Sequence, residues 1–126
     1  MREIKFKYVL KNTKTGELIL SEPITLKSLR RQSGGYIAPS IYIVIGEILF
    51  TGLEDKNGVE VFEGDVVVDK FNQKRMIGFL NGSFVIECGS IDITTGEKAK
   101  EEIIFVQNRE VIGNIYQDSH LLNKAG

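Results

Sequence analysis

Tryptophan is absent from this 126-residue chain, cysteine and histidine occur once each, and there are only two prolines. With Cys88 alone, no internal disulfide can form, so the fold must be held by its core, and the sequence reads as cytoplasmic. One cysteine and one histidine cannot supply the paired spacings of a zinc motif. A Cys-His nucleophile would need both Cys88 and His120. Cys88, however, ends an apolar strand face with Phe84 and Ile86, which suits an inert packed thiol, and His120 falls in a terminal turn. No apolar run reaches the length of a membrane helix, and the charged start of the chain lacks the apolar centre of a signal peptide. Excess charge is missing too: 16 basic against 17 acidic side chains leave a formal charge of −1. That balance gives no global pull toward nucleic acid or an anionic membrane. Gly34-Gly35 follows a helical stretch and lacks the P-loop lysine and serine arrangement, and no serine elbow is visible. The sequence assigns no catalytic residue, cofactor or metal, and the expectation is a protein that is not an enzyme.

What is present is a globular composition, 42% apolar and 26% charged, with 13 glycines that favour many turns and short strands. Ile4, Phe6, Tyr8 and Leu10 alternate with polar neighbours, as a strand with one wet face does. After a turn over Lys11–Gly16, Glu17–Leu20 reads as the returning partner strand. Thr25 is placed to cap a short helix whose Leu26 and Leu29 form an apolar stripe, and Ser33-Gly34-Gly35 would end it. Ile41-Tyr42-Ile43-Val44-Ile45, β-branched apart from Tyr42, is ambiguous in facing, as a buried strand often is, and Gly46 is expected to bend it. Beyond Gly64 the pattern predicts five strands, roughly 65–69, 75–80, 83–88, 102–106 and 111–116, with a tight turn at Asn81-Gly82 and a polar excursion over 91–100. The expected fold class is mostly β: a small SH3-like barrel with a terminal helical turn over residues 47–126, behind a strand-helix-strand lobe over residues 1–46.

The centre of the chain carries its most specific pattern. Asn57-Gly58 is turn chemistry between short apolar alternations, and Glu63-Gly64-Asp65 predicts a second reversal into Val66-Val67-Val68. Thr51-Gly52-Leu53, Asp55-Lys56-Asn57-Gly58 and Glu63-Gly64-Asp65-Val66-Val67 together resemble the central signature of the phage YopX family. The opening Met1-Arg2-Glu3-Ile4-Lys5-Phe6, and Val111–Tyr116 followed by Leu121-Leu122, are similar to that family's starts and ends. The resemblance implies a phage or prophage accessory protein in a bacterial host cell, and names no activity.

Two groups of residues invite a binding reading. Asp55, Asn57, Glu60, Glu63 and Asp65 form an acidic cluster. With Gly58 as the sixth position of an EF-hand loop, however, Leu53 and Gly64 fall where acidic ligands belong. Turn chemistry accounts for the cluster instead. Lys27, Arg30 and Arg31 on the helix, and Lys70, Lys74 and Arg75 around Phe71, are the basic groups that could grip phosphate beside an aromatic. Phe71 either folds onto the core or stands exposed, and the absence of cationic excess favours burial or a protein contact. The leading expectation is a protein-binding or self-associating module meeting a host or phage protein or a second copy of itself, with Ile41–Phe50 pairing across a subunit boundary. The alternative is a nucleic-acid-binding module using the basic loop around Phe71.

Overall fold

The computed structural model describes residues 4–31 and 35–122. The ending assigned to the helix at Ser33-Gly34 therefore lies outside the described residues, as do Met1, Arg2 and Glu3. The chain forms two compact units, Met1–Phe50 and Thr51–Gly126. Both are mostly β, with curled sheets that include a half-barrel, and this is the part of the expected fold class that the structure carries.

In the first unit, β1 (Lys5–Asn12) is the spine. Along one edge it pairs antiparallel with β2 (Leu18–Leu20) and β3 (Ile24–Thr25). Along the other it pairs with β4 (Tyr42–Glu54), which runs on into the second unit. The polar turn works through Asn12, whose buried side-chain oxygen accepts the N–H groups of Lys14 and Thr15. Between β3 and β4 lies α1 (Leu26–Arg31), capped as expected. Thr25 Oγ1 accepts the Ser28 N–H at 3.0 Å while Ser28 Oγ accepts that of Thr25 at 3.2 Å, a reciprocal box that satisfies two backbone donors. Phe6, Val9, Leu10 and Ile48 are buried. Strict alternation along β1 fails at Val9-Leu10, both of them buried, because the register with β4 shifts there: Val9 faces Gly46 and Leu10 faces Val44. Ile45 is the extra residue, so the bend expected at Gly46 takes the form of a β-bulge. Burial of the β-branched run is not observed: Ile41, Ile43, Val44 and Ile45 are all exposed. Among the described residues this stretch of β4 has β1 on one edge and no strand on the other, so the cover that its composition suggested is not there.

The second unit begins as β4 ends. Residues 51–54 turn back through Asp55–Gly58 into β5 (Glu60–Phe62). Gly58 takes φ +81°, and Asn57 does not share its positive φ. Asp55 N–H reaches Val59 O at 2.8 Å, so three residues form the loop rather than two. The reversal at Glu63-Gly64 leads into β6 (Asp65–Val68), with Gly64 at φ +86°. Then come β7 (Lys74–Leu80), β8 (Ser83–Ile91), β9 (Lys98–Glu102) and β10 (Glu110–Asn114), in the spatial order β10-β6-β7-β8-β9. Asn81 and Gly82, at φ 51° and 83°, make the two-residue hairpin turn between β7 and β8.

One segment departs from expectation. The fourth strand is Lys98–Glu102, not 102–106, and Ile103–Asn108 forms a 3₁₀-helix. The supposed polar excursion is a hairpin: Asp92 and Gly96 close its loop, and β8 extends to Ile91 to meet Lys98. The 3₁₀ turn exists because it drops Val106 into the core, where Val61, Val67, Ile77 and Ile86 are also fully buried. Leu53, Ile103 and Val111 pack around this cluster. The expected terminal helical turn is a second 3₁₀ turn, Ser119–Leu122, which packs against β7.

Candidate binding surfaces

Pairing register decides which side chains of the second unit share a face. Arg75 lies opposite Val67, Ile77 opposite Ile86, Phe79 opposite Phe84, and Ile86 opposite Glu101. The inner face therefore has an apolar centre and two different ends. At one end Phe79 and Phe84 meet edge to face, with ring centroids 5.1 Å apart. Phe84 is half-buried there rather than sealed in the core, whereas Ile86 is fully buried. Nearby, Ser83–Val85 and Lys100–Ile104 line a shallow groove of about 460 Å³.

The other end of the face is polar. Arg109 donates to both oxygens of Glu101 at 2.8 Å, a bidentate pair, and Arg75 Nε stands 3.9 Å from the same carboxylate. Cys88 Sγ lies 3.8 Å from Glu101 Oε1. The Arg109 hydrogen bonds hold the Glu101 carboxyl below its ordinary value, against the opposing effect of burial. Burial, and next the Glu101 charge, push the Cys88 thiol above its ordinary 9.0. A thiol so placed is a poor nucleophile at neutral pH. His120 is exposed in the terminal 3₁₀ turn.

The acidic central turn is spent on backbone. Asp55 Oδ1 accepts the N–H groups of Asn57 and Val59 at 2.8 and 2.9 Å, and Oδ2 accepts that of Val111 at 2.9 Å. Asp65 Oδ2 accepts the Phe62 N–H at 2.8 Å. Burial works against an ionised Asp55, but the three N–H donors outweigh it and hold its pKa below the ordinary value. Among the described residues no group of three or more His, Cys, Asp or Glu side chains is placed to hold a metal ion.

The basic residues named from sequence fall in two places. Lys27 is exposed on α1, and the side chains of Arg30 and Arg31 lie outside the described residues. Lys70, Phe71 and Lys74 are exposed in and beside the β6–β7 loop, whereas Arg75 points to the inner face. Its guanidinium is anchored, with one terminal nitrogen 2.9 Å from Gln73 Oε1. Phe71 is 73% exposed, so burial, the first of the two expected outcomes, is not what the loop adopts. The physical reason is local. Asp69 Oδ1 accepts the N–H groups of Phe71 and Gln73, Asn72 N–H reaches Asp69 O at 3.0 Å, and Asn72 sits at φ 62°. A loop tied this tightly to its own first residue has no slack to fold its aromatic onto the core.

The third surface is the start of β4. Its neighbours in the sheet are β1 and the three-residue β5, which returns from the far end of the strand. Among the described residues, the edge of Tyr42–Glu47 opposite β1 carries no strand. Ile43 and Ile45 are each 50% exposed there, and Val44 is exposed between them. Nothing in the local sequence distinguished this edge from a buried strand. Equally, nothing local pointed to Glu101 in β9 and Arg109 just before β10, eight residues apart and joined by the 3₁₀ turn.

Comparison with known proteins places this geometry. The family model described as "YopX protein" matches residues 8–123. Among curated proteins nothing matches. The crystal structure of protein EF1440 from Enterococcus faecalis is similar over 95% of this chain and 98% of that one, at 21% identity and a TM-score of 0.50. At that identity the likeness concerns the fold.

Proposed function

The chain belongs to the YopX protein family, its family match running over residues 8–123, and from that membership we infer a non-enzymatic phage or prophage accessory protein that works by association. The contact we assign is the free edge of β4, and the partner is a second copy of the chain or a host or phage protein adding a strand. The carrying observation is the exposure of Ile43, Val44 and Ile45 along that edge. Edge strands present unpaired N–H and C=O groups, and they are usually blunted by charge, proline or short length. From Tyr42 to Gly46 there is neither a charge nor a proline, and the bulge at Ile45 is the one device present. An uncharged, β-branched edge is complementary to itself, which favours an isologous pair in the cytoplasm of the host.

For residues 47–126 we keep the SH3-like barrel as the architectural reading. In its support, five short antiparallel strands form one curled sheet in which the last strand in sequence returns to pair with the first, β10 with β6.

Sedimentation velocity over a concentration series tests the association. The wild-type chain should move from monomer to dimer in the micromolar range. The double substitution Ile43→Lys with Ile45→Lys should stay monomeric at an unchanged melting temperature, since both side chains are exposed. A wild type that remains monomeric throughout, or a double variant that dimerises equally, would exclude the β4 edge as a self-association surface.

A further inference from the structure

We propose that the β6–β7 loop, Asp69–Gln73, is a docking point for single-stranded nucleic acid, independent of the β4 edge. A base would stack on Phe71, and the flanking phosphates would be held by Lys70 and Lys74.

Three observations carry this. The Phe71 ring is exposed although the loop beneath it is closed by hydrogen bonds from Phe71, Gln73 and Asn72 to Asp69. The aromatic is therefore presented by a pre-formed loop, and little conformational freedom is lost when something stacks on it. Charge is locally unlike the chain as a whole: Lys70 and Lys74 stand against Asp69 alone over residues 69–74, an excess of one positive charge. Lys70 Nζ already lies over one face of the ring, 5.2 Å from its centroid, so a base would stack on the opposite face with a cation held across the ring.

The surroundings choose between partners. A lipid or an apolar protein groove would require further apolar side chains, and Phe71 is the loop's only one. An aromatic flanked by cations instead suits a base with its phosphates. Arg75 takes no part in gripping, because Gln73 and the Glu101 carboxylate hold its guanidinium toward the inner face. Two lysines set a modest electrostatic component. At about 0.7 in the log–log salt slope per phosphate on a single strand, a fourfold rise in salt should weaken binding about sevenfold.

Fluorescence anisotropy of a labelled oligodeoxythymidine, titrated with the full chain, tests the proposal. Wild type should bind, and it should weaken about sevenfold between about 50 and about 200 mM salt. Phe71→Ala should lose about tenfold or more, Phe71→Trp should retain binding, and Lys70→Ala with Lys74→Ala should flatten the salt dependence. All these side chains are exposed, so circular dichroism should show unaltered folding. No binding by the wild type at several hundred micromolar protein, or equal binding by Phe71→Ala, would overturn the assignment.

Discussion

The carboxylate of Asp55 accepts the backbone N–H of Val111 at 2.9 Å, across 56 residues of chain. The same side chain closes its own turn through Asn57 and Val59, and Lys56 N–H reaches Arg109 O at 2.9 Å beside it. A turn that is local in sequence is thereby fastened to the start of β10. Asp55→Ala should destabilise the second unit by about 2–3 kcal/mol, because the one buried carboxylate that accepts all three N–H groups is removed. Urea denaturation with an unchanged m-value would register this as a shift in midpoint alone.

The same residue predicts an acid limb. Asp55 and Glu101 both ionise below their ordinary values of 3.8 and 4.5. Folding depresses these pKa values, so their stabilisation is fully present above the ordinary values and is lost as pH falls through the folded ones. The melting temperature should hold from neutral pH down to about 5 and fall below that. Asp55→Asn should start lower and fall less steeply. An identical slope in the variant would mean that other carboxylates set the limb.

The Arg109–Glu101 pair makes a separate claim. Arg109 is buried, and Glu101 keeps a third of its side chain exposed. Arg109→Ala should therefore cost about 2 kcal/mol, less than breaking a fully buried pair. Glu101→Gln should also lower the Cys88 thiol pKa, since Glu101's charge and its contact with the sulfur both raise it. Alkylation of Cys88 against pH reads that shift directly, and an unmoved titration curve would place the cause in burial alone.

Two glycines with similar backbones separate strain from crowding. Gly58 and Gly64 take φ +81° and +86°, but a Cβ on Gly58 meets nothing within 4 Å, whereas one on Gly64 would lie 2.8 Å from a ring carbon of Tyr116. Gly58→Ala should cost about 1 kcal/mol, the backbone component alone. Gly64→Ala should cost more, and Tyr116→Leu in that background should recover part of the difference. Equal melting temperatures for the two alanine variants would show that the ring simply moves aside.

Within the core, Ile86→Ala should cost about 2–5 kcal/mol and Phe84→Ala less, because only Ile86 is fully buried. The sequence pattern put both residues on one strand face, which is where register places them. It did not reveal that the face runs beyond its cover at Phe84.

That limit recurs elsewhere. Gly58, Gly64 and Asn81-Gly82 were readable because turn chemistry is settled by the residues themselves. The cap at Thr25 was readable for the same reason. The strand over 102–106 was misplaced because a β-branched apolar run fits a core-seeking 3₁₀ turn as well as a strand. Lys98–Glu102, by contrast, shows no apolar period, and its place comes from pairing with β8 and from the ion pair between Glu101 and Arg109. Exposure along Ile41–Ile45 and at Phe71 depends on what lies opposite each segment, which a local pattern does not contain. Of the candidate binding residues, Lys70, Phe71 and Lys74 could be named from sequence, but Arg75 could not be separated from them until its register with Val67 was known.

The pairing of β10 with β6 also sets an order of events during synthesis. Until Glu110–Asn114 has left the ribosome, Asp65–Val68 has only β7 beside it, and three valines line an edge open to any other nascent strand. Asp55 waits over the same interval for its third donor. The second unit thus completes late, and slow translation through residues 69–109 would lengthen the time in which chains can mispair. In the first unit β1 finds β2, β3 and the start of β4 within residues 5–49, and no such delay arises.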